Sequence, residues 1–155
     1  DVEQVRVALG DFNHGGTFSH HAVGAAAGLA TLRILRQEKL VENSAAMGGL
    51  MGALLREALV EHPHVGDIRG RGLFWGVELV QDRDTKQPFS KKDGVTHRLT
   101  ERAFDLGLII YHSVGCVDGV NGDVVMLGPP LISDESQVRE MVAILAEALR
   151  LELGD

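Results

Sequence analysis

The sequence predicts an α/β domain, a small sheet with helices on one face, preceded by a long helix. Two observations carry this reading. Apolar residues recur at three- and four-residue spacing in several stretches of ten residues or more. Between them lie short apolar runs rich in β-branched residues, bounded by Gly, Pro, Asn and Asp turns.

Taken in order, residues 1–18 are dotted with glycine and read as irregular. From about His20 to Lys39, Val23, Ala26, Leu29, Leu32 and Leu35 keep helical spacing. The first half of that helix (Gly24, Ala25, Ala26, Ala27, Gly28) is so small that it predicts another backbone packed close against it. A second helix is expected from about Val41 to Glu61, with Met47, Leu50, Met51, Leu54, Ala58 and Leu59 on one stripe and Pro63 beyond its end. Leu73–Val80 reads as a strand, and the polar stretch Gln81–Asp93 as a surface loop. Residues 95–106 form a shorter helix stopped by Gly107. Leu108–Tyr111 and Val124–Leu127 read as strands, with Asp118-Gly119 and Asn121-Gly122 as turns between them. The last helix, about Asp134 to Leu153, has Val138, Met141, Val142, Leu145, Leu149 and Leu153 on one face, acidic residues in its first turn and Gly154 at its close.

At 155 residues the chain has the size of one ordinary domain. With 45% hydrophobic residues, 24% charged residues and a mean hydropathy of +0.04, it can build a core. Its net charge of −7, without a Lys/Arg stripe, argues against binding to nucleic acid or an anionic membrane. The single cysteine, Cys116, excludes an internal disulfide framework and makes the cytoplasm the expected compartment. No apolar run approaches the roughly 18 residues of a membrane-spanning helix, and the start carries no basic signal-peptide region.

Several segments invite a chemical reading. Gly15-Gly16-Thr17-Phe18-Ser19 directly precedes a helix. Free N–H groups and a hydroxyl there suit a phosphate, but local chemistry alone favours a plain N-cap by Thr17 or Ser19. It is not a P-loop, because no Lys-Ser/Thr pair follows the glycines. Gly70-Arg71-Gly72-Leu73-Phe74-Trp75-Gly76 mimics a dinucleotide fingerprint but leads into a strand instead of opening a helix, so that reading fails. Its glycines suit a tight approach to the sheet, while for Arg69 and Arg71 a solvated or ion-paired role is favoured over a carboxylate ligand. The seven histidines, among them His14, His20, His21, His62, His64 and His97, show no metal-ligand spacing, so no metal is expected. Adjacent His20 and His21 diverge by about 100° on a helix. There is no nucleophile elbow around Ser19, and nothing marks Cys116 as reactive.

Together these segments resemble a known family. Phe12-Asn13-His14-Gly15-Gly16-Thr17-Phe18-Ser19-His20-His21 followed by the small-residue helix is similar to the HG-x-T-[FY]-S-x-H-P stretch of the class III aminotransferases, pyridoxal-phosphate enzymes of the aspartate-aminotransferase fold type. Val65-Gly66-Asp67-Ile68-Arg69-Gly70-Arg71-Gly72-Leu73 with Gly76-Val77-Glu78-Leu79 resembles that family's VGD-[VI]-RG-x-GL…G-[VI]-EL segment. Gly107–Ile110 and Leu127-Gly128-Pro129-Pro130-Leu131-Ile132 resemble its GL-[IL]-[IV] and L-x-PPL-x-[IV] segments. The four segments stand in the family's order and cover nearly the whole chain.

The resemblance implies that residues 1–38 are the tail of a large cofactor-binding domain. Residues 39–155 would be a C-terminal small domain with a mainly antiparallel sheet covered by helices. It implies pyridoxal 5′-phosphate as cofactor and a homodimer, in which Thr17, with the backbone of Gly16, contacts the cofactor phosphate of the neighbouring subunit. The family's Schiff-base lysine would fall before Asp1, and Lys39, Lys86, Lys91 and Lys92 match no catalytic position. With no initiating Met either, the expectation is a C-terminal fragment that is inactive alone and contains no catalytic residue. In ornithine-type members an Arg precedes the x-PPL tetrapeptide; here Met126 stands there. Other members place a mobile Arg where this chain has Tyr111 and His112. Tyr111, His112 and Met126 are therefore expected to line the substrate side, and the missing guanidinium points to an amine or ω-amino donor with a keto acid such as pyruvate as acceptor. Ala22 replaces the family's Pro in a helix's first turn, where both fit. Racemase, decarboxylase and aminomutase chemistry within the same family, or a non-catalytic dimerisation module, are the alternatives.

Overall fold

Reciprocal hydrogen bonds between Asp134 and Gln137 begin the last helix. The Asp134 carboxylate accepts the Gln137 N–H (2.9 Å), and the Gln137 side chain accepts the Asp134 N–H (3.1 Å). Two donors that the helix cannot satisfy internally are thereby used. The computed structural model describes residues 2–10 and 15–154; Phe12, Asn13 and His14 of the first family-like segment lie outside the described residues. The chain divides into two compact units, Asp1–Glu38 and Lys39–Asp155.

The first unit holds α1 (Val2–Leu9) and α2 (Ala22–Gln37). The glycine-dotted sequence before residue 18 predicts no helix there. Yet no Gly or Pro interrupts residues 2–9, Glu3 pairs with Arg6 one turn on at 2.7 Å, and Gly10, at φ +88°, ends the helix. No residue of α2 is buried. The small face predicted to receive a second backbone meets none among the described residues: nothing lies within 4 Å of a Cβ built on Gly28, and only the His21 side chain does so at Gly24.

The second unit consists of α3 (Leu40–Leu59), β1 (Val65–Arg71), β2 (Phe74–Leu79), a 3-10 turn (Lys91–Asp93), α4 (Val95–Asp105), β3 (Tyr111–Val114), β4 (Asp123–Leu127) and α5 (Glu135–Leu153). The strands form one sheet in the order β1-β2-β4-β3, antiparallel at every junction. Strand β1 escaped the sequence reading because only Val65 is buried in it. It is an edge strand carrying two glycines and three charged residues, so it shows no apolar alternation. Strand β3 begins where the predicted strand ended. Leu108 and Ile110 are buried in the core without strand pairing, which starts at Tyr111 opposite Met126.

Alternation separates the two faces of the sheet. Trp75, Val77 and Leu79 of β2 pair with Leu127, Val125 and Asp123 of β4 and point to the helices. There they meet Met51, Leu55 and Leu59 of α3, Leu99 and Ala103 of α4, and Val138, Leu145 and Leu149 of α5. Each such large apolar side chain contributes about 1.5–3 kcal/mol when fully buried. Glycines bring α3 onto the β1–β2 hairpin: a Cβ on Gly48 would lie 2.0 Å from the Gly72 carbonyl oxygen, and one on Gly52 2.2 Å from the Trp75 ring. Gly107, at φ +95°, turns the chain out of α4 while the N–H groups of Gly107 and Leu108 cap the Phe104 and Ala103 carbonyls (2.9 and 2.8 Å). No helix among the described residues is long and apolar enough to cross a membrane.

Candidate functional site

The face of the sheet turned away from the helices carries the polar and aromatic groups. In register across the four strands, Arg69, Gly76, Met126 and Tyr111 form one row. Arg71 and Phe74 lie one row on, while Asp67, Glu78, Val124 and Ser113 form the row on the other side. Phe74 is 62% exposed and Tyr111 73%. Tyr111 and Met126, both expected on the substrate side, are cross-strand neighbours and line a cavity of about 710 Å³ with Phe74, Pro129 and Pro130. The Pro-Pro segment is pinned from α3: the Asn43 side-chain amide donates to the carbonyls of Leu131 (2.7 Å) and Ser133 (3.0 Å).

His112 does not share this face. It pairs with Val125 on the helix side, and its Nδ1 lies 3.0 Å from the Thr100 hydroxyl of α4. Beside it, Asp123 is buried and accepts the Thr96 hydroxyl (3.1 Å). Burial pushes the Asp123 carboxyl up from its usual range, with the Thr96 hydrogen bonds opposing and Asp93 adding to the rise. These groups tie α4 to the β3–β4 pair beneath Tyr111 and Met126.

Arg69 is ion-paired, with Asp67 at 2.8 Å and Glu78 at 2.6 Å. The Asp67 hydrogen bond first, then that of Glu78, raises the Arg69 guanidinium above its ordinary range. A second cavity, of about 550 Å³, opens beside it over Gly76 and is lined by Arg71, Ser113, Cys116 and Met126. The sequence reading missed this pocket because it did not take residues 65–71 as a strand. A two-residue period over that stretch puts 67, 69 and 71 on one face.

In the first unit, neither Thr17 nor Ser19 caps α2. His21 does, its Nδ1 accepting the Gly24 N–H at 3.0 Å. The Ser19 hydroxyl accepts the Gly16 N–H at 3.0 Å, so that amide is engaged within its own turn. Thr17 is exposed, and its hydroxyl has no hydrogen-bond partner among the described residues. The loop thus presents the Thr17 hydroxyl, engaged neither as donor nor as acceptor among the described residues, a group that fits a single contact to a phosphate oxygen.

An aminotransferase of Gibberella zeae is 42% identical over 146 residues, covering 94% of this chain and 29% of its own length. Putrescine–pyruvate aminotransferase of Pseudomonas aeruginosa is 36% identical over 149 residues, covering 96% of this chain and 31% of that enzyme. Among solved structures, an amine transaminase from an uncultivated Pseudomonas species, in its PLP-bound form, superposes with a TM-score of 0.78 at 30% identity, over 90% of this chain and 30% of that one. The chain therefore spans about 30% of the length of the relatives it matches. The pattern of aminotransferase class III runs through residues 2–149, and the chain belongs to that family.

Proposed function

We propose that the whole protein is a pyridoxal-phosphate-dependent transaminase that moves an amino group from an amine or ω-amino donor to a keto acid such as pyruvate. This chain would supply the tail of its large domain (residues 1–38) and its small domain (39–155). The observation that carries the reading is the Thr17 hydroxyl, exposed and uncommitted at a turn whose helix is capped by another residue. The cofactor, when bound, supplies the electron sink and carries the amino group between donor and acceptor.

The roles of this chain's residues are binding and positioning. Thr17 donates its O–H to the phosphate of the neighbouring subunit's cofactor in a homodimer. Gly16, whose amide is held by Ser19, shapes the turn that presents Thr17. Tyr111 and Met126 line the substrate side with Phe74 and the Pro129-Pro130 turn. His112 acts from below, holding β3 to α4 through Thr100. The names of the relatives support the donor class, one of them taking putrescine and pyruvate. We infer a cytoplasmic location, since the single cysteine calls for no oxidising compartment.

The test is cofactor retention by the whole dimeric protein. Thr17→Ala is expected to weaken it by about 1.5–3 kcal/mol, the range for a lost hydrogen bond to a charged group. Ser19→Ala, which loosens only the turn, should weaken it less. Equal retention by wild type and Thr17→Ala would remove Thr17 from the phosphate site, and failure of the wild-type protein to take up pyridoxal phosphate would end the enzymatic reading.

A further inference from the structure

The geometry points to Arg71 as the residue that binds a substrate carboxylate, in the cavity over Gly76. The inference rests on the transaminase reading for the identity of the ligand, and on the structure of the sheet face for the site itself. A transaminase accepting keto acids or ω-amino acids needs a cation for the carboxylate. Neither Met126 nor Tyr111, both on the expected substrate side, supplies one.

Two guanidinium groups border the cavity of about 550 Å³, and they are not equivalent. Arg69 is occupied by Asp67 and Glu78. Arg71, two residues along the same strand face, is exposed, and no carboxylate lies within salt-bridge reach of it among the described residues. No acidic side chain lines this cavity; its remaining polar side chains are Ser113 and Cys116, and Phe74, Val124 and Met126 form apolar walls. A carboxylate entering it meets an unpaired planar cation suited to a two-point hydrogen bond, with apolar surface for the carbon chain.

Gly76 supports this reading independently. A Cβ there would make only ordinary contacts, 3.5 Å to Val124 and 3.9 Å to the Arg69 carbonyl, and its φ lies outside the left-handed region. The backbone does not require glycine at this position. What the glycine provides is depth between Arg69 and Met126, its two cross-strand neighbours. Phe74 and Met126 line both cavities, so a chain extending from the Tyr111 side passes them to reach Arg71. Two strand spacings, about 10 Å, separate β1 from β4. That span suits an ω-amino acid or a longer keto acid better than the short pyruvate.

The test uses the whole protein with its cofactor, with 4-aminobutyrate and putrescine as donors and pyruvate or 2-ketoglutarate as acceptor. Arg71→Gln is expected to raise KM for 4-aminobutyrate by roughly tenfold to a hundredfold, the equivalent of one lost charged hydrogen-bonding partner. The rise should be at least tenfold larger than that for putrescine, and Arg71→Lys should recover part of it. A larger effect on 2-ketoglutarate than on 4-aminobutyrate would assign the site to the acceptor. Calorimetric titration with glutarate, which has no amino or keto group, gives a readout without turnover. Wild type should saturate, while Arg71→Gln and the floor-filling Gly76→Ala should bind at least tenfold more weakly. Unchanged KM values and unchanged glutarate affinity in Arg71→Gln would overturn the proposal. So would a loss of thermal stability with equal effects on both donors, which would make Arg71 a structural ion-pair partner. Arg71-dependent glutarate binding without amino transfer would leave the carboxylate site standing and refute the transaminase reading instead.

Discussion

Gly48→Ala tests how α3 holds the hairpin that carries Arg69, Arg71 and Phe74. The added Cβ would lie 2.0 Å from the Gly72 oxygen, 2.1 Å from its carbonyl carbon and 2.5 Å from its Cα. Ordinary contact is about 3.5 Å, so helix and turn must separate by roughly 1–1.5 Å. Both sides are backbone, so no rotamer change relieves the overlap. Overpacking of this kind costs about 1–3 kcal/mol, and its upper end applies here. The better helix propensity of alanine returns about 1 kcal/mol, leaving a net loss of about 2 kcal/mol. Gly49→Ala is the internal control: it lies on the same helix with nothing within 4 Å of its Cβ, and should gain up to about 1 kcal/mol. Urea-unfolding midpoints of the whole protein at constant slope, with hydrogen exchange of the β1–β2 amides, measure both. A Gly48→Ala midpoint at or above wild type, or an equal loss in Gly49→Ala, would refute the close-approach argument.

Asp134→Ala removes the acceptor for the Gln137 N–H and should cost about 1 kcal/mol, read as a lower urea midpoint; no change would mean that water caps α5 equally well. Asp123→Asn keeps an oxygen for the Thr96 hydroxyl but cannot ionise. Burial places the Asp123 carboxyl above its unfolded range, so the folded protein holds that proton more tightly than the unfolded chain. Stability therefore falls as pH rises from the ordinary carboxylate range through the raised folded value. The variant should lack this decline and exceed wild type at pH 7 while matching it in acid; unfolding midpoints across that range check the sign, and a less stable variant at pH 7 would contradict it.

The helices of the second unit were legible because their apolar faces repeat with the turn of the helix. The α5 signal included its acidic start at Asp134 and Glu135, while the structure makes Asp134 the residue that caps the helix. Strand β2 was legible as a short, mostly apolar run of β-forming residues. β1 was not: at an edge it needs little apolar surface, and its charges point to an open face that only the sheet defines. The same gap hid the contrast between Arg69 and Arg71, which are two residues apart in sequence and alike in chemistry. Arg69 is neutralised by Asp67, two residues before it on the same strand, and by Glu78, brought alongside by the hairpin. The turn before α2 left capping and phosphate binding open, and in the fold His21 caps the helix.

By itself, the sequence determined the family through four spaced segments, and most of the helices and strands through hydrophobic period. Those properties depend on neighbours along the chain. Only the tertiary structure decided that Tyr111 and Met126 meet on one face while His112 turns to the other. It alone decided that Arg71, beside a floor of glycine, has no ion-pair partner among the described residues. Facing and pairing are set by strand register and edge position, which arise from contacts between residues far apart in sequence.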